Sequence, residues 1–173
     1  MNVRRLPADE ASVRRFIEDL WLPYNRELEG LVDGFSLADG VDVVTAELEH
    51  RLGRHETESY QAWVAVDGPH DQDDLANSRG DFVGFITTDI DESPTVFDRP
   101  DRLVVCDIYV KAPYRGTGLA RDLVERAERR ARESGCAELK LEVDVDNERA
   151  RGFYEKLGFE PVRHTMVAPV PRD

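Results

Sequence analysis

The chain has 173 residues, of which 40% are hydrophobic and 34% are charged, and its formal net charge is −13. This size predicts a single domain over residues 1–173, and the composition is typical of a globular protein. The acidic balance argues against a nucleic-acid partner, and no apolar run approaches the roughly 20 residues of a membrane span. Because the first ten residues also lack the apolar core of a signal peptide, we expect a cytoplasmic location and no membrane partner.

The positive charge comes almost wholly from arginine, since Lys111, Lys140 and Lys156 are the three lysines of the chain. An acid-rich surface of this kind is typical of proteins adapted to high salt, and we favour this interpretation over attraction of a basic substrate. Cys106 and Cys136 have no second Cys or His nearby at metal-ligand spacing. They are therefore predicted to be free thiols, and we expect no metal site.

The first third of the chain is predicted to form a short strand and two amphipathic helices. Residues 2–6 alternate as a weak strand, and a helix is expected to follow the turn at residues 7–9 and to reach about Trp21. A second helix is expected to end near Gly53, while the structure of residues 24–39 is left open. The apolar positions at helical spacing are Val13, Phe16, Ile17 and Leu20, then Val43, Val44, Leu48 and Leu52.

The hydrophobic pattern changes to a period of two from Tyr60 onward. Residues 60–66 and 81–87 each alternate, so they are predicted to form antiparallel strands joined by a polar loop. A second polar loop, at residues 91–102, leads to residues 103–110. This last run is almost continuously apolar and predicts a buried strand.

The remainder of the chain is predicted to alternate between helices and strands. Leu119 begins an amphipathic helix that Gly135 terminates, and residues 139–145 alternate as a strand. Asn147 is expected to cap a last helix that ends at Gly158. Residues 162–170 are predicted to form one or two closing strands.

The turn between the buried strand and the amphipathic helix has the properties of an anion site. Its glycines allow close approach of the backbone to a ligand, and the first amides of the helix have no partner within the helix. These amides and the helix dipole would bind a pyrophosphate, although an ordinary tight turn is the alternative. Neither a Walker loop nor a Rossmann fingerprint matches. The residues of the turn are Arg115, Gly116, Thr117, Gly118, Leu119 and Ala120.

A second motif, at residues 147–159, adds to the glycine turn at residues 115–120, and the two together are far more specific than either alone. Taken together, the turn with its R-x-x-G-x-A spacing and this later segment resemble the two signature motifs of the GCN5-related N-acetyltransferase (GNAT) family. The resemblance implies an α/β acyl-CoA N-acyltransferase fold, with helices flanking a mixed, mostly antiparallel sheet whose central strands splay apart. The matching residues of the second motif are Asn147, Ala150, Phe153, Tyr154, Glu155, Lys156, Leu157, Gly158 and Phe159.

The resemblance also implies acetyl-CoA as the acyl donor and assigns residues to it. The backbone of Ile108, Tyr109 and Val110 is expected to pair with the pantetheine arm, which enters between the strands at residues 103–110 and 139–145. The turn from Arg115 to Ala120 is expected to hold the pyrophosphate. Asn147 is expected to contact the pantetheine arm.

Two catalytic roles follow from the same resemblance. Tyr154 is expected to protonate the thiolate as it leaves, and the alternative is a tyrosine of the core. Glu142 is expected to remove a proton from the acceptor, while Asp107 and water are competing proton acceptors. Both carboxylates also fit side chains that face solvent.

The predicted function is therefore transfer of an acetyl group to a primary amine by direct attack within a ternary complex. The alternative is a non-catalytic module of the same fold that binds acyl-CoA. The acceptor amine, which could belong to a small molecule, a peptide or a protein, is left open by the sequence. A homodimer is expected from the resemblance alone.

Overall fold

A computed structural model of the protein describes residues 1–69 and 74–171. The chain divides into two compact units, Met1–Glu142 and Val143–Asp173. The first unit contains a five-stranded sheet, with β1 at Asn2–Arg5, β2 at Gln61–Asp67, β3 at Asp81–Asp91, β4 at Arg102–Val110 and β5 at Glu138–Leu141. Its helices are α1 at Glu10–Phe16, α2 at Leu22–Glu29, α3 at Val43–His55 and α4 at Leu119–Glu133.

The sheet has the order β1-β2-β3-β4-β5 and is mixed, as the sequence predicted. The first four strands pair antiparallel, and β5 runs parallel to β4. The pairing of β4 with β5 ends at Val105 and Leu141. Because β4 extends to Val110, its last five residues continue beyond the end of its pairing with β5.

Hydrophobic side chains cover both faces of this sheet. One cluster, which we call the α1 cluster, packs Val13, Phe16 and Leu20 against Phe85 of β3. The other, the α4 cluster, packs the apolar stripe of α4, including Leu123, against the opposite face. The helical periodicity of both stripes is thereby confirmed.

The segment that the sequence left open is helical as far as Glu29. A π-helical turn at Ile17–Trp21 joins α1 to α2, and the amide of Leu22 donates to the carbonyl of Ile17. Pro23 has no amide hydrogen and cannot donate to a carbonyl of the preceding turn. The π-helical turn just before it is wider than an α-helical turn, so the helix continues past this proline. The first helical region is thus longer than the prediction that ended it at Trp21.

The predicted fifth strand is too long. It was expected at residues 139–145, but β5 ends at Leu141, so Glu142 lies just after the strand rather than on it. Pairing stops where β4 contains a bulge, described below, and an alternating pattern without a partner strand does not form a strand. The valines that would have continued the alternation, Val143 and Val145, are 37% and 74% exposed.

The second unit contains the helix α5 at Glu148–Lys156. Asn147 caps it by accepting from the amide of Ala150 at 3.1 Å, and Gly158 follows its end with a φ of 87°. Both helix-end predictions are confirmed. The predicted closing strand at residues 162–170 is wrong, because this segment is irregular and exposed throughout.

No helix in the described parts of the chain is both long enough and apolar enough to cross a membrane.

Candidate active site

The first component of the site is the part of β4 that continues beyond β5. This part carries Ile108, Tyr109 and Val110, the residues expected to pair with pantetheine. Its opposite edge is paired with β3 from Asp107 to Val110. A strand whose pairing on one side has ended presents backbone groups to which an extended ligand can add, as in strand addition by peptides.

A β-bulge at Cys106 marks the point where pairing with β5 ends. Thr87 of β3 pairs with Asp107 and Thr88 pairs with Val105, so Cys106 is an extra residue in β4. One extra residue reverses the facing of the side chains that follow it. Val105 therefore packs in the α4 cluster, whereas Asp107 contacts α3 on the other face.

The second component is the glycine turn that precedes α4. Gly116 and Gly118 have φ values of 76° and 95°, which side-chain-bearing residues rarely adopt. A Cβ atom at either glycine would meet no atom within 4 Å, so both face open space. Gly118 is the N-cap of α4 and has no side chain to bind the first amides of the helix. The turn thus fits an anion that approaches the backbone closely.

The side chain of Arg115 contacts groups within the protein. Its Nη2 donates to Glu27 of α2 at 2.6 Å, and its Nε donates to the carbonyl of Val110 at 2.9 Å. The guanidinium also lies over the ring of Tyr109, 5.6 Å from its centroid. Arg115 therefore links α2 to the end of β4, and the phosphate-binding potential of the turn lies in its amides.

The third component is a network around Arg51 of α3, whose side chain is almost wholly buried. Its guanidinium donates to three partners: Tyr60 Oη at 2.7 Å, Asp107 Oδ2 at 3.1 Å and Glu47 Oε1 at 2.5 Å. Thr87 Oγ1 donates to the same oxygen of Asp107 at 3.1 Å. The bulged part of β4 is thus connected to α3 by a buried ion pair.

The acceptor groups around Arg51 keep its guanidinium ionised. Burial alone would lower the pKa of Arg51, but Tyr60, Asp107 and Glu47 outweigh burial and raise that pKa far above its usual value. Burial raises the pKa of the Tyr60 phenol, and the positive charge of Arg51 opposes this shift only in part. At neutral pH the network therefore contains a charged guanidinium and a neutral phenol.

The predicted residues of the second unit have local partners. Tyr154 is half-buried, and its ring contacts Phe153 and Phe159 at centroid distances of 5.4 and 5.6 Å. The side-chain oxygen of Asn147 caps α5. Glu142, at the end of the first unit, is exposed.

Sequence reasoning missed Arg51 and Glu27, which gain their roles through partners far along the chain, and it missed Glu47, which pairs with Arg51 one helical turn away. One signal was available, because Arg51 follows Val44 and Leu48 at helical spacing and interrupts the apolar stripe of α3. A charged residue on a buried stripe requires a partner in the sheet. Across the described residues, no group of three or more potential ligands is arranged to hold a metal ion.

Comparison with protein families finds a match to the Acetyltransferase (GNAT) family over residues 37–159. Among curated proteins, the chain is similar to N-alpha-acetyltransferase MAK3 of Arabidopsis thaliana, with 39% identity over 85 residues. This match covers 49% of this chain and 43% of that protein. The chain spans less than half the length of the curated relatives that it matches.

Solved structures share the fold over the whole chain at low sequence identity. The BH1408 protein of Bacillus halodurans, a tetramutant, superposes with a TM-score of 0.72 at 18% identity, covering 98% of this chain and 100% of that one. AAC(6')-Iy in complex with the bisubstrate analogue CoA-S-monomethyl-acetylneamine has a TM-score of 0.62 at 17% identity, covering 99% of this chain and 98% of that one.

Proposed function

The chain belongs to the acetyltransferase (GNAT) family, and on that premise we propose that it is an N-acetyltransferase. It transfers the acetyl group of acetyl-CoA to a primary amine by direct attack within a ternary complex. The observation that carries the proposal is the free end of β4 beside the glycine turn at the start of α4. The end of β4 offers backbone groups to an extended arm, and the turn offers amides to a pyrophosphate. A CoA molecule contains both an extended pantetheine arm and a pyrophosphate.

We propose the following division of roles among the predicted residues. Ile108, Tyr109 and Val110 hold the pantetheine arm through their backbone, and Asn147 contacts the same arm. The turn binds the pyrophosphate through the residues Arg115, Gly116, Thr117, Gly118, Leu119 and Ala120. The open space over Gly116 and Gly118 supports this assignment, since a side chain there would occupy the volume of the ligand.

The chemistry requires one proton acceptor and one proton donor. The acceptor ammonium loses a proton to a carboxylate, for which Glu142 and Asp107 are the candidates. Its nitrogen then attacks the thioester carbonyl, so that a C–N bond forms and the C–S bond breaks. Tyr154 donates a proton to the departing thiolate and regains one from the nitrogen, directly or through water. The products are an amide, CoA thiol and one proton released to solvent.

The proposal is tested by measuring release of free thiol from acetyl-CoA with lysine amide, spermidine, kanamycin and a peptide with a free N-terminus. We expect thiol release with at least one amine, together with a mass increase of one acetyl group on that amine. Binding of acetyl-CoA by calorimetry without turnover across this panel would instead indicate a non-catalytic acyl-CoA-binding module.

We also propose that the protein is a homodimer that acts in the cytoplasm, and that it comes from an organism adapted to high salt. The net charge of −13 supports the salt adaptation. Analytical ultracentrifugation at low and high KCl tests the dimer, since a single species with the mass of one chain at both salt concentrations would contradict it.

A further inference from the structure

Two arginines of α3, three residues apart, connect this helix to the sheet through one aspartate each. Arg51 Nη2 donates to Asp107 Oδ2 of β4 at 3.1 Å, and Arg54 Nη2 donates to Asp89 Oδ2 of β3 at 2.7 Å. The two pairs have the same chemistry. They differ in burial, because the side chain of Arg51 is 8% exposed and that of Arg54 is 33% exposed.

Arg51 is held in one orientation by all three edges of its guanidinium. Nε, Nη1 and Nη2 donate to Glu47, Tyr60 and Asp107 respectively. A guanidinium is planar and rigid, so when each of its three nitrogens donates a hydrogen bond, the group fixes the position of each acceptor. The orientation of the Asp107 carboxylate is thereby determined from α3, 56 residues away in the sequence.

The network leaves one oxygen of Asp107 available. Arg51 and Thr87 both donate to Oδ2, and these are the hydrogen bonds that its carboxylate accepts from the described residues. Oδ1 is therefore free to accept a proton. The side chain is 23% exposed, so the carboxylate is also accessible to a small group from solvent.

We propose that Arg51 is a positioning residue that holds the Asp107 carboxylate at the bulge of β4, and that Asp107 Oδ1 accepts the proton of the acceptor ammonium. This inference rests on the acetyl transfer proposed above and selects between its two candidate carboxylates. Glu142 is exposed and lies one residue beyond the end of β5. Asp107 lies in the part of β4 that is free to pair with the cofactor.

The proton transfer is balanced without a further reactant. The ammonium R–NH3⁺ gives one proton to Asp107, and the neutral amine R–NH2 that remains attacks the thioester. The carboxylic acid returns its proton to solvent after the amide has left. Arg51 exchanges no proton, since its high pKa keeps it charged, and it acts only by orienting the carboxylate.

The main test compares Asp107→Asn and Arg51→Lys with the unmodified protein, using the amine that reacts in the panel. Asp107→Asn should lower kcat/KM at pH 7 by about 10²- to 10⁴-fold, the value of a positioned base. Arg51→Lys retains the positive charge but loses the planar set of donors that orients Asp107. Because displacement of a catalytic group slows a reaction on the order of 10²-fold, we expect a decrease of that size in kcat/KM. A pH-dependent deficit in Glu142→Gln that exceeds the deficit of Asp107→Asn would identify Glu142 as the proton acceptor and overturn the inference.

Arg54→Lys is the matched control. It makes the same chemical change in the same helix, and it also weakens one ion pair between α3 and an aspartate of the sheet. If Arg51 served only to attach α3 to the sheet, both lysine variants would lose activity in proportion to their loss of thermal stability. We expect Arg54→Lys to leave kcat unchanged.

The pH dependence separates positioning from a general structural defect. Near pH 10 a primary amine is substantially neutral in solution and no longer needs a base, so the deficit of both variants in kcat/KM should shrink as the pH rises from about 7 to about 10. A structural defect would persist at every pH. Among the described residues, the charged and titratable groups that interact with Asp107 include Arg51 on α3, Tyr60 before β2 and Cys106 on β4. These in turn interact with Glu47, Arg54 and Asp89.

The outcomes distinguish this inference from the proposed function. Thiol release by the unmodified protein together with full activity of Asp107→Asn, or a deficit of Arg51→Lys that does not change with pH, would overturn the inference and leave acetyl transfer intact. Absence of transfer to every amine would overturn both. If Arg51→Lys does not fold, Thr87→Val removes the other donor to Oδ2 at constant shape, and it should show the same pH-dependent deficit.

Discussion

At the scale of single residues, the hydroxyl of Tyr154 provides a test of proton donation. Tyr154→Phe keeps the ring that contacts Phe153 and Phe159 and removes only the proposed donor. We expect kcat to fall by about 10²- to 10⁴-fold, toward the lower end because a thiolate leaves tolerably without protonation. Affinity for acetyl-CoA should change little. Steady-state kinetics measures kcat, and a thermal melt checks that the variant is folded. A kcat within about threefold of the unmodified value would identify Tyr154 as a core residue.

We expect His55 to make the stability of the fold dependent on pH. Its Nε2 is buried without a hydrogen-bond partner among the described residues, and its ring lies edge-on to Tyr60 at 5.2 Å. Burial, followed by the charges of Arg51 and Arg5, lowers the pKa of His55. Below about pH 6.5 the unfolded chain therefore binds a proton that the folded chain does not, and stability falls as the pH decreases toward the lowered pKa.

This effect is measured by urea unfolding at several pH values between about 8 and 5. His55→Leu should show a smaller loss of unfolding free energy below about pH 6.5 than the unmodified protein. His164 is exposed, so His164→Ala should retain the original dependence. Identical pH profiles for His55→Leu and the unmodified protein would contradict the prediction.

At the scale of elements, substitutions of the glycines at the two ends of α4 distinguish loss of ligand binding from the effect of backbone strain. Gly118 before the helix and Gly135 after it have φ values of 95° and 74°, and a Cβ at either would meet no atom within 4 Å. Replacement of either by valine forces a rare conformation and should cost about 1–3 kcal/mol of stability. Only Gly118 lies at the turn proposed to hold pyrophosphate.

We therefore expect Gly118→Val to abolish acetyl-CoA binding while Gly135→Val retains it at a similar thermal stability. Isothermal titration calorimetry on both folded variants measures the difference. Unchanged affinity in Gly118→Val would show that the turn does not hold the cofactor.

At the scale of the whole molecule, the net charge predicts a response to salt. The chain has 36 acidic residues and 23 arginines and lysines, so the excess negative charges repel one another in the folded protein at low ionic strength. Raising KCl from about 0.1 M to about 1 M shortens the screening length from about 10 Å to about 3 Å. The melting temperature should therefore rise. Chloride is chosen because sulfate would also strengthen hydrophobic burial, and a constant or lower melting temperature would contradict the prediction.

The sequence alone was sufficient for the features that depend on neighbouring residues. The apolar stripes of α1 and α4, the cap at Asn147 and the glycine turn are local patterns, and the structure contains each of them. The two motifs also identified the family, since each lies within a short segment. Such signals are readable because the residues of one helix face, one cap or one turn lie only a few positions apart in the sequence.

Only the tertiary structure decided the features that depend on partners distant in the sequence. The extent of β5 follows from where β4 bulges, and residues 162–170 do not form the strand that was predicted for them. The contacts of Arg51 with Asp107 and of Arg115 with Glu27 join segments 56 and 88 residues apart. Alternation and charge indicate that a residue requires a partner, whereas the identity of that partner is set by which elements pack together.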